Sequence, residues 1–327
     1  MKKVLVTVPV TEDDIQCFYK TAPDWEFEFI DADRYDILPE NVRDKNIILG
    51  DIPRSVVRCA EKLEWLQLNS AGTDGFCDGA LPAGCILTNA SGTYGLAISE
   101  HIIGMLLAIY KHLYIYYDHQ KDGKWQKEGD VLSINGSNVL ILGFGDIGQK
   151  SARLFSAFGA NVRAVRRTKS TAPEYIEGLY LPEDVDDLLP WADTVLLSMP
   201  GTEATRHYLD RRRISLLKKD CVVLNVGRGI LIDTEALMDA LDREDILAAG
   251  LDVTDPEPIP EGHRLFRTRG LYFTPHVSGH YSLPKTLELI KKLFIRNISY
   301  YRNGLPMESL VDMETGYRIP SSQNNSL

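Results

Sequence analysis

The stretch Val139-Leu140-Ile141-Leu142-Gly143-Phe144-Gly145-Asp146-Ile147-Gly148 decides how this chain is read. Four consecutive apolar residues, two of them β-branched, predict a strand buried on both faces, and Gly-x-Gly-x-x-Gly follows without a spacer. A helix is expected next, over 149–158, with Ala152, Leu154, Phe155 and Phe158 as its apolar or small positions and Gly159 as its stop. The same glycines could form an ordinary turn in another α/β protein. Strand before and helix after turn the motif into a dinucleotide site. Gly143 permits the tight turn, Gly145 lets the backbone approach a pyrophosphate, and Gly148 lets helix and strand pack. Free N–H groups at the helix start, around Asp146 and Ile147, face the anion.

Downstream, strands are expected at 162–165, 195–197, 222–224, 248–251 and 271–273, which with 139–142 make the six of a doubly wound dinucleotide fold. Ligands of such sheets sit beyond the carboxyl ends of the strands. An NAD-preferring site places Asp or Glu at the end of the second strand, ~20 residues past the fingerprint. Here that strand runs into Arg166-Arg167-Thr168-Lys169, and no acid is present. Two guanidiniums and a hydroxyl suit a 2′-phosphate, so NADP is the expected cofactor, with NAD as the alternative.

Upstream, short apolar strands at 4–8, 27–30, 47–49, 66–68 and 86–87 alternate with helical or irregular segments, a complete small parallel α/β unit without a glycine fingerprint. Its loop Asn69-Ser70-Ala71-Gly72-Thr73-Asp74 could hold an anion on its N–H groups or be a plain turn. After Gly92-Thr93-Tyr94-Gly95, a hinge, one long apolar helix is expected over 97–117, followed by a polar connection at 121–138 that Trp125 anchors against a neighbouring domain or subunit. A last helix over 283–301 packs back on the first unit. The expected domains are therefore 1–94 plus 285–327, discontinuous, and 95–284. The tail from Ser321 to Leu327 is polar and expected to be disordered.

At 327 residues, two cores are expected. A net charge of -10 argues against nucleic acid or anionic membrane as a partner. The start, Met1-Lys2-Lys3-Val4-Leu5-Val6-Thr7-Val8, reads as a first strand rather than a signal peptide, because its apolar run is short and breaks at Pro9. No run approaches the ~18 apolar residues of a membrane span. Cys17, Cys59, Cys77, Cys85 and Cys221 contain no C-x-x-C pair and are expected to be free thiols in a reducing cytoplasm, with no zinc site.

Three strand ends carry groups that suit one chemistry. Arg228, between Gly227 and Gly229, suits bidentate capture of a carboxylate. His276 can exchange a proton with a carbon-bound oxygen while hydride moves to or from nicotinamide. Glu257, between Pro256 and Pro258, would stabilise the protonated imidazole. Each alone reads more readily as a surface group; their coincidence at three ends of one sheet carries the reading.

Asn225-Val226-Gly227-Arg228-Gly229-Ile230-Leu231-Ile232-Asp233, Gly250-Leu251-Asp252-Val253-Thr254-Asp255-Pro256-Glu257-Pro258 and Thr274-Pro275-His276 resemble, in this order, the signatures of the D-isomer-specific 2-hydroxyacid dehydrogenases, in the glyoxylate/hydroxypyruvate reductase or phosphoglycerate dehydrogenase branch. The resemblance implies two doubly wound parallel-sheet domains, a flavodoxin-like substrate domain and a Rossmann domain. It implies NAD(P)-dependent interconversion of a small 2-oxo acid and its (R)-2-hydroxy acid, with Arg228 binding the acid, His276 as acid/base and Glu257 supporting it. It also implies that backbone amides of Ser70, Ala71, Gly72 and Thr73 help hold the substrate, that Asp252 contacts the nicotinamide side, and that the protein is a homodimer. Pro200, Val226 and Gly227 join the cofactor set with Arg166, Arg167 and Thr168. The sequence departs from the family at Gly227, where Ala is frequent, at Val277-Ser278-Gly279-His280-Tyr281, and at Tyr94 in the hinge. His276 and His280 invite a metal reading, but nothing acidic lies between them. Two alternatives share the fold: a nucleotide-sensing, corepressor-like binding protein, which the presence of all three polar residues disfavours, and a formate or phosphite dehydrogenase.

Overall fold

The computed structural model describes residues 1–73, 75–279, 281, 283–316, 318 and 319. Chain contacts divide it into two units, Met1–Tyr94 with Leu283–Leu327, and Gly95–Ser282.

The first unit contains β1 (Lys3–Val6), β2 (Glu26–Phe29), β3 (Ile47–Leu49), β4 (Trp65–Gln67) and β5 (Ile86–Thr88), all parallel in the order β2-β1-β3-β4-β5. This is the flavodoxin-like order. β3 and β4 are buried throughout, as strands covered on both faces must be. Helix Pro284–Arg302 packs on helix Glu12–Thr21, where Lys291 bonds to Asp14, and Asn297 reaches the buried Gln67 of β4 at 2.7 Å.

The second unit holds β6 (Asn138–Leu142), β7 (Asn161–Val165), β8 (Gly178–Tyr180), β9 (Thr194–Leu197), β10 (Val222–Asn225), β11 (Ala248–Leu251) and β12 (Leu271–Phe273), parallel in the order β12-β11-β10-β9-β6-β7-β8. Renumbered within the unit, this is the Rossmann order 3-2-1-4-5-6 with a seventh strand beyond it. The strand absent from the sequence reading is β8, a three-residue edge strand, half-buried along its length and opened by a glycine.

One further expectation is corrected and another is narrowed. The long helix over 97–117 is two helices, Gly95–Tyr110 and Leu113–Lys121, bent by 66°. The break falls at His112, whose φ of 55° is left-handed and whose Nε2 lies 2.8 Å from the Asp130 carbonyl, while Leu132 N–H donates to the Tyr110 carbonyl. Apolar periodicity continues across the break, so it could not mark it. Trp125 is fully exposed, at 104%, which narrows its expected packing surface to a neighbouring subunit. No single helix among the described residues is long and apolar enough to cross a membrane. All five cysteines are free thiols. His280, Asp74 and the tail 320–327 lie outside the described residues.

Candidate active site

At the fingerprint, β6 is buried from Val139 to Leu142 and ends at Gly143, whose φ of 105° is closed to ordinary side chains. The helix starts three residues earlier than the apolar pattern suggests, at Asp146, with Gly145 as its N-cap. A Cβ on Gly148 would fall 2.1 Å from the Gly143 carbonyl oxygen, so helix and turn meet only because that position is glycine. A Cβ on Gly145 would meet nothing within 4 Å, and no side chain caps the helix start. A helix start uncapped by any side chain and uncrowded at Gly145 fits a pyrophosphate on the first N–H groups of Asp146–Ala157. The Asp146 carboxylate is occupied elsewhere, accepting from Gly95 N–H at 2.9 Å and pairing with Lys150. Only its main chain is available to an anion.

At the end of β7, Arg166 N–H donates to the Tyr180 carbonyl of β8. The unforeseen edge strand therefore fixes the place where the adenosine ribose is expected. A cavity of about 250 Å³ opens there, lined by Arg166, Thr168, Lys169, Tyr180 and Asp184 among others. Arg167 is exposed and does not line it. The Asp184 carboxylate is held by the Leu181 N–H at 2.9 Å.

Beyond β10, Asn225 builds the turn that presents Arg228: its Oδ1 accepts from Gly227 N–H at 3.0 Å and its Nδ2 donates to the Arg228 carbonyl at 2.9 Å. Gly227 also packs against Met199, the neighbour of Pro200 at the end of β9, and Val226 N–H donates to the Leu197 carbonyl. A Cβ on Gly229 would fall 1.9 Å from the Thr254 carbonyl oxygen. Glycine there lets the Arg228 turn lie directly on the loop that carries Glu257. In that loop Thr254 N–H donates to Glu257 Oε2 at 3.4 Å.

His276 Nδ1 lies 2.6 Å from Glu257 Oε1. The carboxylate oxygen accepts, so the hydrogen sits on Nδ1 and Nε2 is left to exchange a proton with a substrate. Both side chains are about half exposed. His276 holds a left-handed backbone, φ 53°, with its N–H donating to the Asp252 and Thr274 carbonyls, both at 2.9 Å.

Asp252 is 1% exposed, and its carboxylate gathers that same loop. Oδ1 accepts from Thr274 Oγ1 at 2.6 Å and Val277 N–H at 3.0 Å; Oδ2 accepts from Ser278 N–H at 3.2 Å and from Ser278 Oγ. Burial pushes this carboxyl up, but the bonds from Ser278, Thr274 and Val277 outweigh it and hold it below the usual aspartate range. Sequence reasoning missed His101, whose Nε2 lies 3.1 Å from Thr274 Oγ1. A lone histidine in an apolar helix was its only signal.

In the first unit, the loop after β4 turns its carbonyls inward: Ser70 O takes Ala90 N–H at 2.8 Å, Ala71 O takes Asn89 Nδ2 at 2.8 Å and Gly72 O takes Ser70 Oγ at 2.9 Å. The Ser70 N–H is engaged by Asp51. Those of Ala71, Gly72 and Thr73 have no hydrogen-bond partner among the described residues. Consecutive unpaired N–H groups beside tied carbonyls are donors that an anion can use.

Residues 103–278 match the family model for the NAD-binding domain of D-isomer-specific 2-hydroxyacid dehydrogenases. A glyoxylate reductase of Thermococcus onnurineus is 30% identical, over 95% of this chain and 96% of its own. A D-3-phosphoglycerate dehydrogenase of Methanocaldococcus jannaschii is 30% identical over 84% of this chain, which spans 53% of that longer protein. The crystal structure of a D-isomer-specific 2-hydroxyacid dehydrogenase family protein from Aeromonas salmonicida, 28% identical, superposes with a TM-score of 0.82 and covers 95% of this chain and 99% of its own. With both sheets in the expected orders and the fingerprint in place, the chain belongs to the D-isomer-specific 2-hydroxyacid dehydrogenase family of NAD(P)-dependent oxidoreductases.

Proposed function

We propose that this protein reduces a small 2-oxo acid, of the size of glyoxylate or hydroxypyruvate, to the (R)-2-hydroxy acid, with NADPH preferred over NADH. The observation that carries the reading is the 2.6 Å His276–Glu257 pair in a loop that lies against the Arg228 turn. A bound nicotinamide supplies the hydride. His276 gives the proton from Nε2 to the oxygen that becomes the hydroxyl, and Glu257 holds the ring in the orientation that makes this possible. Arg228 pairs with the acid as a planar fork, a geometry that a lysine cannot imitate. The N–H groups of Ala71, Gly72 and Thr73 receive carboxylate oxygen. Asp252 fixes the loop from Thr274 to Ser278 and with it the position of His276.

The cofactor preference rests on Arg166, Thr168 and Lys169 around one cavity at the end of β7, where an NAD site would carry an acid. The Asp184 carboxylate in the same cavity works against a phosphate, so Arg166 and Lys169 must outweigh it. The test is a panel of glyoxylate, hydroxypyruvate, pyruvate, phenylpyruvate and 2-oxoisocaproate with each cofactor, read by loss of nicotinamide absorbance. We expect kcat/KM with NADPH to exceed that with NADH at least ~10-fold and Arg166→Asp to abolish the difference. Equal or better kinetics with NADH would refute the cofactor assignment, and no turnover of any acid would refute the substrate class.

A homodimer is the assembly we propose. Leu113, Tyr117, Trp125, Val131 and Leu132 are exposed on the second helix and the segment that joins it to β6, an unusual density of large apolar groups. Light scattering that returns a monomer at micromolar concentration would exclude it.

A further inference from the structure

Two residues outside the chemistry above, Asp51 and Tyr94, close on the loop assigned to the substrate. Asp51 follows β3 and lies beneath the end of β4. Its Oδ1 accepts from Asn69 N–H at 3.0 Å and from both Ser70 N–H and Ser70 Oγ at 3.4 Å. Its own N–H donates back to Asn69 Oδ1, so the two residues are tied in both directions. Its carbonyl accepts from Thr7 Oγ1 at 3.1 Å, which fastens the pair to the end of β1. Tyr94 is buried, and its hydroxyl donates to the Asn69 carbonyl.

The result is a loop gripped at one end. Asn69 and Ser70 are held through N–H, carbonyl and side chain, and the three unpaired N–H groups begin at the next residue. We propose that Asp51 and Tyr94 are positioning residues for substrate binding, fixing Asn69 and Ser70 so that the N–H groups of Ala71, Gly72 and Thr73 converge on the carboxylate of the acid. This rests on the assignment of that loop to the substrate. By occupying the N–H groups of Asn69 and Ser70, Asp51 also confines the incoming anion to the three residues that follow. Burial raises the pKa of the Asp51 carboxyl while the bonds from Ser70 and Asn69 oppose the rise. The fold thus retains a desolvated acid whose visible return is the order of this loop.

The experiment compares Tyr94→Phe, Asp51→Ala and Asp51→Asn with the wild type. It reads KM and kcat for the best 2-oxo acid, Kd for NADPH from nicotinamide fluorescence, and amide hydrogen exchange over 69–73. Tyr94→Phe and Asp51→Ala are expected to speed exchange over 69–73 and raise KM about 5- to 10-fold, the loss of roughly one hydrogen bond, with kcat and Kd within about twofold of wild type. Asp51→Asn keeps an acceptor oxygen and is expected to stay within about threefold in KM. Faster exchange with unchanged KM would overturn the proposal, as would KM and Kd rising together or Asp51→Asn matching Asp51→Ala. If the wild type turns over no acid, the functional reading fails by itself, and exchange over 69–73 then decides whether Asp51 and Tyr94 position the loop: unchanged exchange overturns it.

Discussion

Asp252→Asn separates two roles that the same position could play, contact with the nicotinamide side or support of the His276 loop. The carboxylate accepts four donors, the hydroxyls of Thr274 and Ser278 and the N–H groups of Val277 and Ser278. An amide keeps one oxygen for Val277 and Thr274. Its NH2, placed at the Oδ2 position, meets the Ser278 N–H donor to donor, and the Ser278 hydroxyl must turn. One hydrogen bond to a charged acceptor is therefore replaced by a repulsive contact and the others lose their charge. At roughly 1.5–3 kcal/mol for each such bond, with neighbours in one network not additive, a loss of about 3 kcal/mol is expected. For a unit the size of Gly95–Ser282 that lowers Tm by roughly 6–12 °C. Because His276 N–H rests on the Asp252 carbonyl, the loop shift displaces the imidazole, and a shift of about 1 Å costs on the order of 10²-fold in kcat. The folded carboxyl is held below its ordinary 3.8, so its contribution is present above that value and lost as pH falls through the lowered one. The Tm gap between variant and wild type should thus persist at pH 5 and narrow only in stronger acid. Differential scanning fluorimetry, steady-state kinetics and NADPH titration are the measurements. A variant with wild-type Tm and kcat but weakened NADPH binding would refute the loop-support role.

Three other outcomes are expected. His276→Ala should lower turnover by a factor of roughly 10² or more with NADPH affinity near that of wild type, and a variant that keeps most of its activity removes His276 from the mechanism. Arg228→Lys should lower kcat/KM for the acid without rescue at saturation; unchanged kcat/KM would make the arginine structural. Burial pushes the Cys85 thiol up to about 11 and the Cys221 thiol up to about 12, so at pH 8 iodoacetamide should label exposed Cys17 in the folded protein and leave these two unmodified. Rapid loss of all thiols in the native state would contradict the packing of β5 and β10 around them.

The two sheets were legible because most of their strands are short apolar runs buried along most of their length, as β3, β4, β9 and β10 are, a pattern that survives without any tertiary information. β8 escaped because it is three residues long, opens on a glycine and is half-buried throughout, so it carries no apolar run. The break at His112 escaped for the opposite reason: both helices are apolar enough to continue the pattern, and the interruption comes from Asp130 and Leu132, some twenty residues away. Trp125 was expected against a neighbouring domain or subunit, and its full exposure in the single chain leaves the subunit. Arg228, Glu257 and His276 stand beyond strand ends, which sequence can locate. The bonds of Asp252 to Thr274, Val277 and Ser278 depend on the left-handed turn at His276, and those of Asp51 to Asn69 on the adjacency of β3 and β4; neither is written in local sequence.

The chain order of the two units bears on how the protein is made. Helix Pro284–Arg302 belongs with helix Glu12–Thr21, yet the 188 residues of Gly95–Ser282 are translated between them. At ~5–20 residues per second that takes roughly 10–40 s. At the end of this interval the nascent N-terminal unit still lacks the helix that meets Asp14 and Gln67, while the nucleotide unit is complete through β12. The order of emergence from the ribosome therefore makes the nucleotide unit the first to close, and leaves the apolar surface of the earlier unit exposed to chaperones until its last helix arrives.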